Sequence, residues 1–421
     1  MKRTLVILLG CCLGLNSCYE LDLNPLSQAS SENWYSSETE IEMSVKDFYR
    51  DDFWPLDNED KTDNFIYRET PSEILKGTFN GQSDDVTKLW ANQYKSIARA
   101  NTILANMDKA VNMGISEVKL KQYEGEAFFQ RASCYARLVT YFGDVIYVTE
   151  VVDIDKAFTL GRTAKSEIVP KIYEDYDKAI ENLPEKYSGL SSQRATKGAA
   201  LALKARFALY MGDWDIVADA TKKCMDLGIY KLHKDYSDLF LSTTKNSEES
   251  IFLLPRSIEY KVTLGNWTVM NEVSRNPGGW GAFAPSWDLL AAYTCTDGLP
   301  IDESPLFDPH NPFKNRDPRC TATIVEFGTR HLGFEYNPHP DAVQVMNYNT
   351  GKMQKNNERL NTILDTLPEK QKEVVLLHIV EKKKIKEIAT QMDIAETTVK
   401  THFKRAMAIL RNNLKLVLFG V

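Results

Sequence analysis

The sequence predicts a mainly helical protein, a helical-repeat scaffold broken by long irregular loops and followed by a small C-terminal helix-turn-helix bundle. Three observations predict it. Between about residues 90 and 226, apolar residues recur at spacings of three to five, the period of a helix face rather than a strand. From Asn266 to Tyr293 that pattern gives way to NWTVMNEVSRNPGGWGAFAPSWDLLAAY, rich in Gly, Pro and Trp. Near the C-terminus, IKEIATQMDIAETTVKTHFKRAMAIL reads as a short helix, a tight turn and a second helix that carries Lys and Arg beside Thr.

The chain opens with MKRTLVILLGCCLGLNSC. Lys2 and Arg3 form a positive start, and the apolar run Thr4 to Leu15 is shorter than the roughly 20 residues that span a bilayer. It has the length of a cleaved signal. Leu15-Asn16-Ser17-Cys18 resembles a bacterial lipobox, so residues 1–17 are expected to be removed and Cys18 lipidated. Several acyl chains, each worth ~0.8 kcal/mol per buried methylene, tether a protein durably. Four cysteines then remain, Cys134, Cys224, Cys295 and Cys320, which permit three pairings. Cys134 and Cys224 sit in helix-like apolar patterns and read as buried thiols.

At 421 residues, with 43% hydrophobic and 26% charged, the chain has room for two or three folded domains, and its composition excludes wholesale disorder. The net charge of -7 alone speaks against a nucleic-acid binder. The charge is unevenly spread, however. Residues 352–421 hold 14 Lys and Arg against 8 Asp and Glu, and the rest holds 37 against 50. Such asymmetry predicts two pieces with different partners.

Along the middle, LWANQYKSIARANTILANM places Leu89, Tyr94, Ile97, Ala100, Ile103 and Leu104 near one face. YEGEAFFQRASCYARLVTYFGD repeats the pattern, with Gly143 as its stop. IVPKIYEDYDKAIENLP and ATKGAALALKARFALYMGDWDIVADATKKCMDLG form a further pair. Close-spaced alanines before Gly212-Asp213-Trp214 and Ala218 resemble a tetratricopeptide unit, which buries its faces only by stacking on neighbours. Trp90 and Trp214, inside these patterns, are assigned to packing.

CYELDLNPLSQAS, GEAFFQRASCYARLVTYFGDV, RATKGAALALKARFALYMGDW and NRDPRCTATI, in that order, resemble the SusD/RagB nutrient-binding lipoproteins. The resemblance covers residues 18–351. It implies a tetratricopeptide-like scaffold anchored by lipid in the outer membrane, facing the cell surface. There it would capture glycans or other nutrients for a TonB-dependent transporter, a SusC-like partner. Members run well beyond MNYNTGK, so the 18–351 domain reads as truncated and joined near Gly351 to Asn357 to an unrelated module.

Loops held by a rigid scaffold gather binding groups. Trp267, Trp280 and Trp287 offer flat faces to the C–H side of a sugar ring, and Asn266 and Arg275 offer donors to its hydroxyls. Trp54, Tyr67 and Arg68 do the same in an earlier loop. Catalysis is not expected. No GxSxG or HExxH occurs, and abundant carboxylates single out no pair. His331 and His339 make no metal site by themselves, CxxC is lacking, and no cofactor is implied.

The tail, residues 352–421, resembles region four of bacterial sigma factors. Leu367-Pro368 opens a helix, Ile385 to Met392 is the first helix of the motif, Asp393 to Ala395 the turn, and Thr397 to Leu410 the recognition helix. By position, Glu396, Thr397, Thr398, Lys400 and Thr401 would lie nearest the bases, and Lys404 and Arg405 toward phosphates. The alternative function is therefore a DNA-binding regulator that recognises promoters with RNA polymerase, its leader unused.

Overall fold

The structure is a computed structural model. It describes residues 35–55, 61–67, 72–188, 193–244, 247–254, 256–259, 261–339, 341–358, 367–375, 377–378 and 383–418. The leader, Cys18 and Arg68 lie outside the described residues. The chain divides into two compact units, one built on residues 1–55, 87–232 and 246–255 and the other on 56–86, 233–245 and 256–421.

The first unit is a stack of helices. Helix α1 (Glu38–Lys46) begins at a capping box in which Ser37 and Glu40 satisfy each other's free amides. Helices α2 (Asp84–Ala105) and α3 (Glu117–Phe142) occupy the stretches whose periodicity predicted them. Gly143 ends α3 at φ 70°. Helix α4 (Lys165–Asn182) packs along α3, α5 (Lys197–Met211) on α4, and α6 (Trp214–Asp226) on α5. The α5–α6 turn is two residues long because Gly212, at φ 81°, adopts the left-handed conformation that a Cβ disfavours.

Phe129, Tyr135, Leu138, Ile168, Ile172 and Tyr176 form the heart of this unit's core. A fully buried side chain of this kind contributes roughly 1.5–3 kcal/mol. At its centre Arg131 forks onto Asp175, with Nε to Oδ2 at 2.7 Å and Nη2 to Oδ1 at 2.8 Å. Its Nη1 donates to Asn101 at 3.0 Å, so one guanidinium joins α2, α3 and α4. Trp90 packs as expected, its ring 4.9 Å from Tyr94 and 5.1 Å from Phe142. Trp214 does not. It is 67% exposed, because α6 packs through Ala220 and Cys224 and the first residue of the helix lies off that face.

In the second unit, β1 (Phe65–Tyr67) pairs antiparallel with β2 (Phe283–Pro285), Tyr67 opposite Phe283. The stretch expected to be irregular, 266–293, holds regular structure: helix α7 (Asn266–Glu272), strand β2 and helix α8 (Trp287–Ala292). Each element is too short to show a period in sequence. Helix α9 (Pro318–Thr323) completes a small core of Leu290, Phe313, Cys320 and Ile324. Then β3 (Thr329–His331), β4 (Phe334–Tyr336), β5 (Gln344–Asn347) and β6 (Lys352–Lys355) form an antiparallel sheet in that order. Gln344 pairs with Lys355 and Asn347 with Lys352, so the sheet crosses the boundary expected after residue 351.

The tail within this unit has a core of its own. Helices α10 (Glu369–Val375), α11 (Ile385–Gln391) and α12 (Glu396–Leu418) enclose Val374, Leu377, Ile388, Ala389 and Val399, with Leu367, Val375 and Ala406 beside them. Cys134, Cys224, Cys295 and Cys320 are all free and buried. Among the described residues, no helix is long and apolar enough to cross a membrane.

Candidate functional site

The site lies in the second unit, around the β1–β2 pair. Antiparallel pairing brings Tyr67 to Phe283, ring centroids 5.0 Å apart, and Trp267 of α7 completes the group at 5.8 Å from Phe283 and 6.2 Å from Tyr67. Aromatic pairs in tilted and edge-on arrangements at these distances hold one another in place. Ser286 caps α8 by accepting from the Leu289 amide at 3.1 Å. Its own amide donates to the Asn64 carbonyl at 2.9 Å and its hydroxyl to the Asp63 carbonyl, which ties the turn before β1 to the start of α8.

Between α7 and β2 the chain folds back on the helix it has just left. The Trp280 amide donates to the Met270 carbonyl at 2.6 Å, and the Gly281 and Ala282 amides donate to Val273 and Asn271 at 2.9 Å. Gly279 has to be glycine, since a Cβ there would stand 2.0 Å from the Val273 carbonyl oxygen. The turn is anchored from far along the chain. The Asn276 amide donates to Glu358 Oε1 at 2.6 Å, its side-chain amide donates to Asn356 Oδ1 at 3.1 Å, and its own oxygen accepts from the Asn357 amide at 2.8 Å. Asn356 in turn donates to the carbonyls of Asn337 and Ala342, each at 2.7 Å.

Beside this turn lies a cavity of about 490 Å³, within the roughly 300–1,000 Å³ of small-ligand sites. Phe65, Phe283, Trp287, Phe313, Phe327 and Tyr336 give it an aromatic lining, and Glu272, Ser274, His331 and Glu358 supply polar groups. Burial first, and the nearby Glu358 carboxylate second, hold the Tyr336 phenol above its ordinary pKa, so the hydroxyl keeps its proton and can donate.

The structure therefore gathers Tyr67, Trp267 and Trp287 about one pair of strands, with Trp280 on the turn. Trp267 is 51% exposed, Trp280 43% and Trp287 57%. Asn266 is exposed at the start of α7, and Arg275 is half-buried with its Nε 3.8 Å from Glu358. Trp54 is a correction. It is only 8% exposed, stacked on Phe129 at 5.8 Å, with its indole N–H donating to the Phe48 carbonyl at 2.9 Å, so it belongs to the first unit's core and presents no platform. Sequence reasoning missed Phe65, Phe283, Phe327, Tyr336 and Glu358. These residues are brought together only by pairings and hydrogen bonds across long stretches of chain.

The tail offers a second kind of surface. Asp393, at φ 50°, makes the turn between α11 and α12. Val399 and Ala406 face the tail's core, while Glu396, Thr397, Lys400, Thr401, Lys404 and Arg405 are exposed and Thr398 is half-buried. Thr397, Lys400, Thr401 and Lys404 are spaced by three and four, so they share one face. Among the described residues, no cluster of three or more His, Cys, Asp or Glu could hold a metal ion.

Comparison with known proteins finds family matches along most of the chain. Residues 23–209 match the family described as starch-binding, associating with outer membrane, and residues 248–371 match the SusD family. Residues 357–410 match sigma-70 region 4. Two SusD-like proteins of Formosa agariphila are 30% and 25% identical over 41% and 60% of this chain, which covers 32% and 52% of their lengths. A SusD-like carbohydrate-binding protein of Bacteroides fragilis superposes with a TM-score of 0.64 at 27% identity, over 73% of this chain and 63% of that one. A second SusD-like protein of that species, at 21% identity and TM-score 0.62 over 92% of this chain and 86% of that one, shares the fold. The chain thus spans about a third to a half of the curated relatives it matches.

Proposed function

The chain belongs to the SusD/RagB family through residues 23–209 and 248–371, and on that premise we propose that it binds glycans at the aromatic site of its second unit. The observation that carries this reading is an aromatic-lined cavity with the exposed Trp287 in its lining, beside the exposed Trp267 of α7 and Trp280 on a turn held by buried hydrogen bonds. Exposed indole faces stack on the apolar side of a pyranose, and Asn266 and Tyr336 supply directional hydrogen bonds. The stacked helix pairs of the first unit serve as a tetratricopeptide-like scaffold. The protein captures its ligand without cleaving it. Lipidation at Cys18 holds it at the outer-membrane surface, where a SusC-like TonB-dependent transporter takes the ligand. The likeness to a carbohydrate-binding protein supports this role.

Titration calorimetry with soluble glycans tests the binding. Trp267→Ala or Trp287→Ala should weaken it by about 1 kcal/mol or more; Trp287→Ala should leave the unfolding midpoint nearly unchanged, whereas Trp267→Ala also removes packing on Tyr67 and Phe283. Unaltered affinity in both variants overturns the assignment of the site. Cell fractionation tests the anchor, since Cys18→Ala should move the protein from the membrane fraction to the soluble one.

A second reading applies to the tail alone and rests on the match to sigma-70 region 4 together with the exposed face of α12. It makes residues 367–418 a DNA-binding module, with Glu396, Thr397, Thr398, Lys400 and Thr401 toward bases and Lys404 and Arg405 toward phosphates. RNA polymerase is its partner only in a cytoplasmic chain that retains its leader. Mapping the full chain on chromosomal DNA in cells separates the readings. Enrichment at promoters supports the second, and membrane-bound protein absent from DNA supports the first. The hydrogen bond that Glu358 accepts from the Asn276 amide supports a boundary after residue 358 rather than after 351.

A further inference from the structure

We infer that the cavity selects uncharged or amine-bearing saccharides and excludes acidic ones, such as uronic-acid or sulfated glycans. The inference rests on the glycan-binding reading and adds the ligand's charge. Among the described residues lining the cavity are the carboxylates Glu272 and Glu358 and one imidazole, His331, and no Lys or Arg. Arg275, a cation of the turn itself, stands outside the lining with its Nε 3.8 Å from Glu358, where it offsets part of that carboxylate's charge. Glu358 is itself fixed by the Asn276 amide, so it cannot swing away from an approaching anion.

The remaining lining works in the same direction. Six aromatic side chains line the space, and aromatic faces attract C–H groups and ammonium ions but repel anions. The Tyr336 hydroxyl, held protonated, and the His331 ring supply hydrogen bonds suited to neutral hydroxyl groups. A carboxylate or sulfate brought here would lose its hydration beside two like charges, with no cation in the lining to replace it.

A glycan array probed with the full chain tests the inference. Its spots should carry neutral, amine-bearing, uronic and sulfated oligosaccharides, and should include oligogalacturonate both as the free acid and as its methyl ester. The methyl ester keeps the backbone and removes the charge. Binding confined to neutral and amine-bearing spots is the expected result. Acidic spots bound as tightly as neutral ones, or the free acid preferred to its ester, overturns the charge selection while the glycan-binding reading stands. Silence across the whole array overturns both.

A second arm addresses the named groups. Glu272 is exposed, so Glu272→Lys should fold normally. It should narrow the preference for neutral over acidic ligands roughly tenfold, equivalent to about 1.4 kcal/mol. An unchanged ratio in Glu272→Lys and in Glu358→Gln removes these carboxylates as its source.

Discussion

Arg131 and Trp54 show how far single residues can be read. A fully buried arginine is uncommon unless it is paired, and this one is forked onto Asp175 and bonded to Asn101. Arg131→Leu leaves the Asp175 carboxylate buried without its counter-charge and should cost ~3–5 kcal/mol, read as a lower urea midpoint. Replacing both partners by leucine should recover much of that loss. Sequence marked Arg131 only as part of a helical run, because its partners Asp175 and Asn101 come from other stretches of chain. Trp54 failed in the opposite way. A tryptophan in a loop beside charged residues looks exposed, yet its ring stacks on Phe129 and packs against Phe252. Trp54→Ala should therefore lower thermal stability, where Trp287→Ala should lower only affinity, and calorimetric scans of the two variants distinguish the cases.

Among elements, length decided what could be read. Helices α3 and α4 hold 26 and 18 residues, enough turns for the apolar period to stand out. Helices α7 and α8, with seven and six residues, hold fewer than two full turns and disappeared into a stretch dominated by Gly and Pro. The strands around the site were hidden for a different reason, since β1 pairs with β2 across more than two hundred residues. The motif in the tail was legible because α11, its turn and α12 are contiguous. Lys404 and Arg405 are both exposed on α12. If they meet phosphates, Lys404→Ala with Arg405→Ala should reduce the slope of log affinity against log salt by about 1.8, near 0.9 for each contact removed. Fluorescence anisotropy on duplex DNA over a salt series measures it, and an unchanged slope removes these two residues from the interface.

At the scale of the whole molecule, buried phenols set a limit on the basic side. Burial holds Tyr94, Tyr135, Tyr176 and Tyr187 well above the usual tyrosine range, and pushes Tyr147 up to about 12. In the unfolded chain these phenols ionise near pH 10. Above that pH the unfolded state binds fewer protons than the folded one, so stability is complete below about pH 10 and falls as pH rises toward the folded values. Urea midpoints between pH 8 and pH 12 should decline chiefly above pH 10. A flat profile over that range contradicts the burial of the phenols.

One consequence concerns where the gene can be cut. Strand β6 and the Asn356–Glu358 clamp look like the beginning of the tail in a linear reading, but they brace the turn that carries Trp280. A shortened chain stopping at codon 351 would lose the edge of the four-stranded sheet and free Asn276, whereas one ending just past codon 358 keeps both. The seven residues between those two stop codons decide whether the excised domain arrives with its aromatic cavity supported or slack.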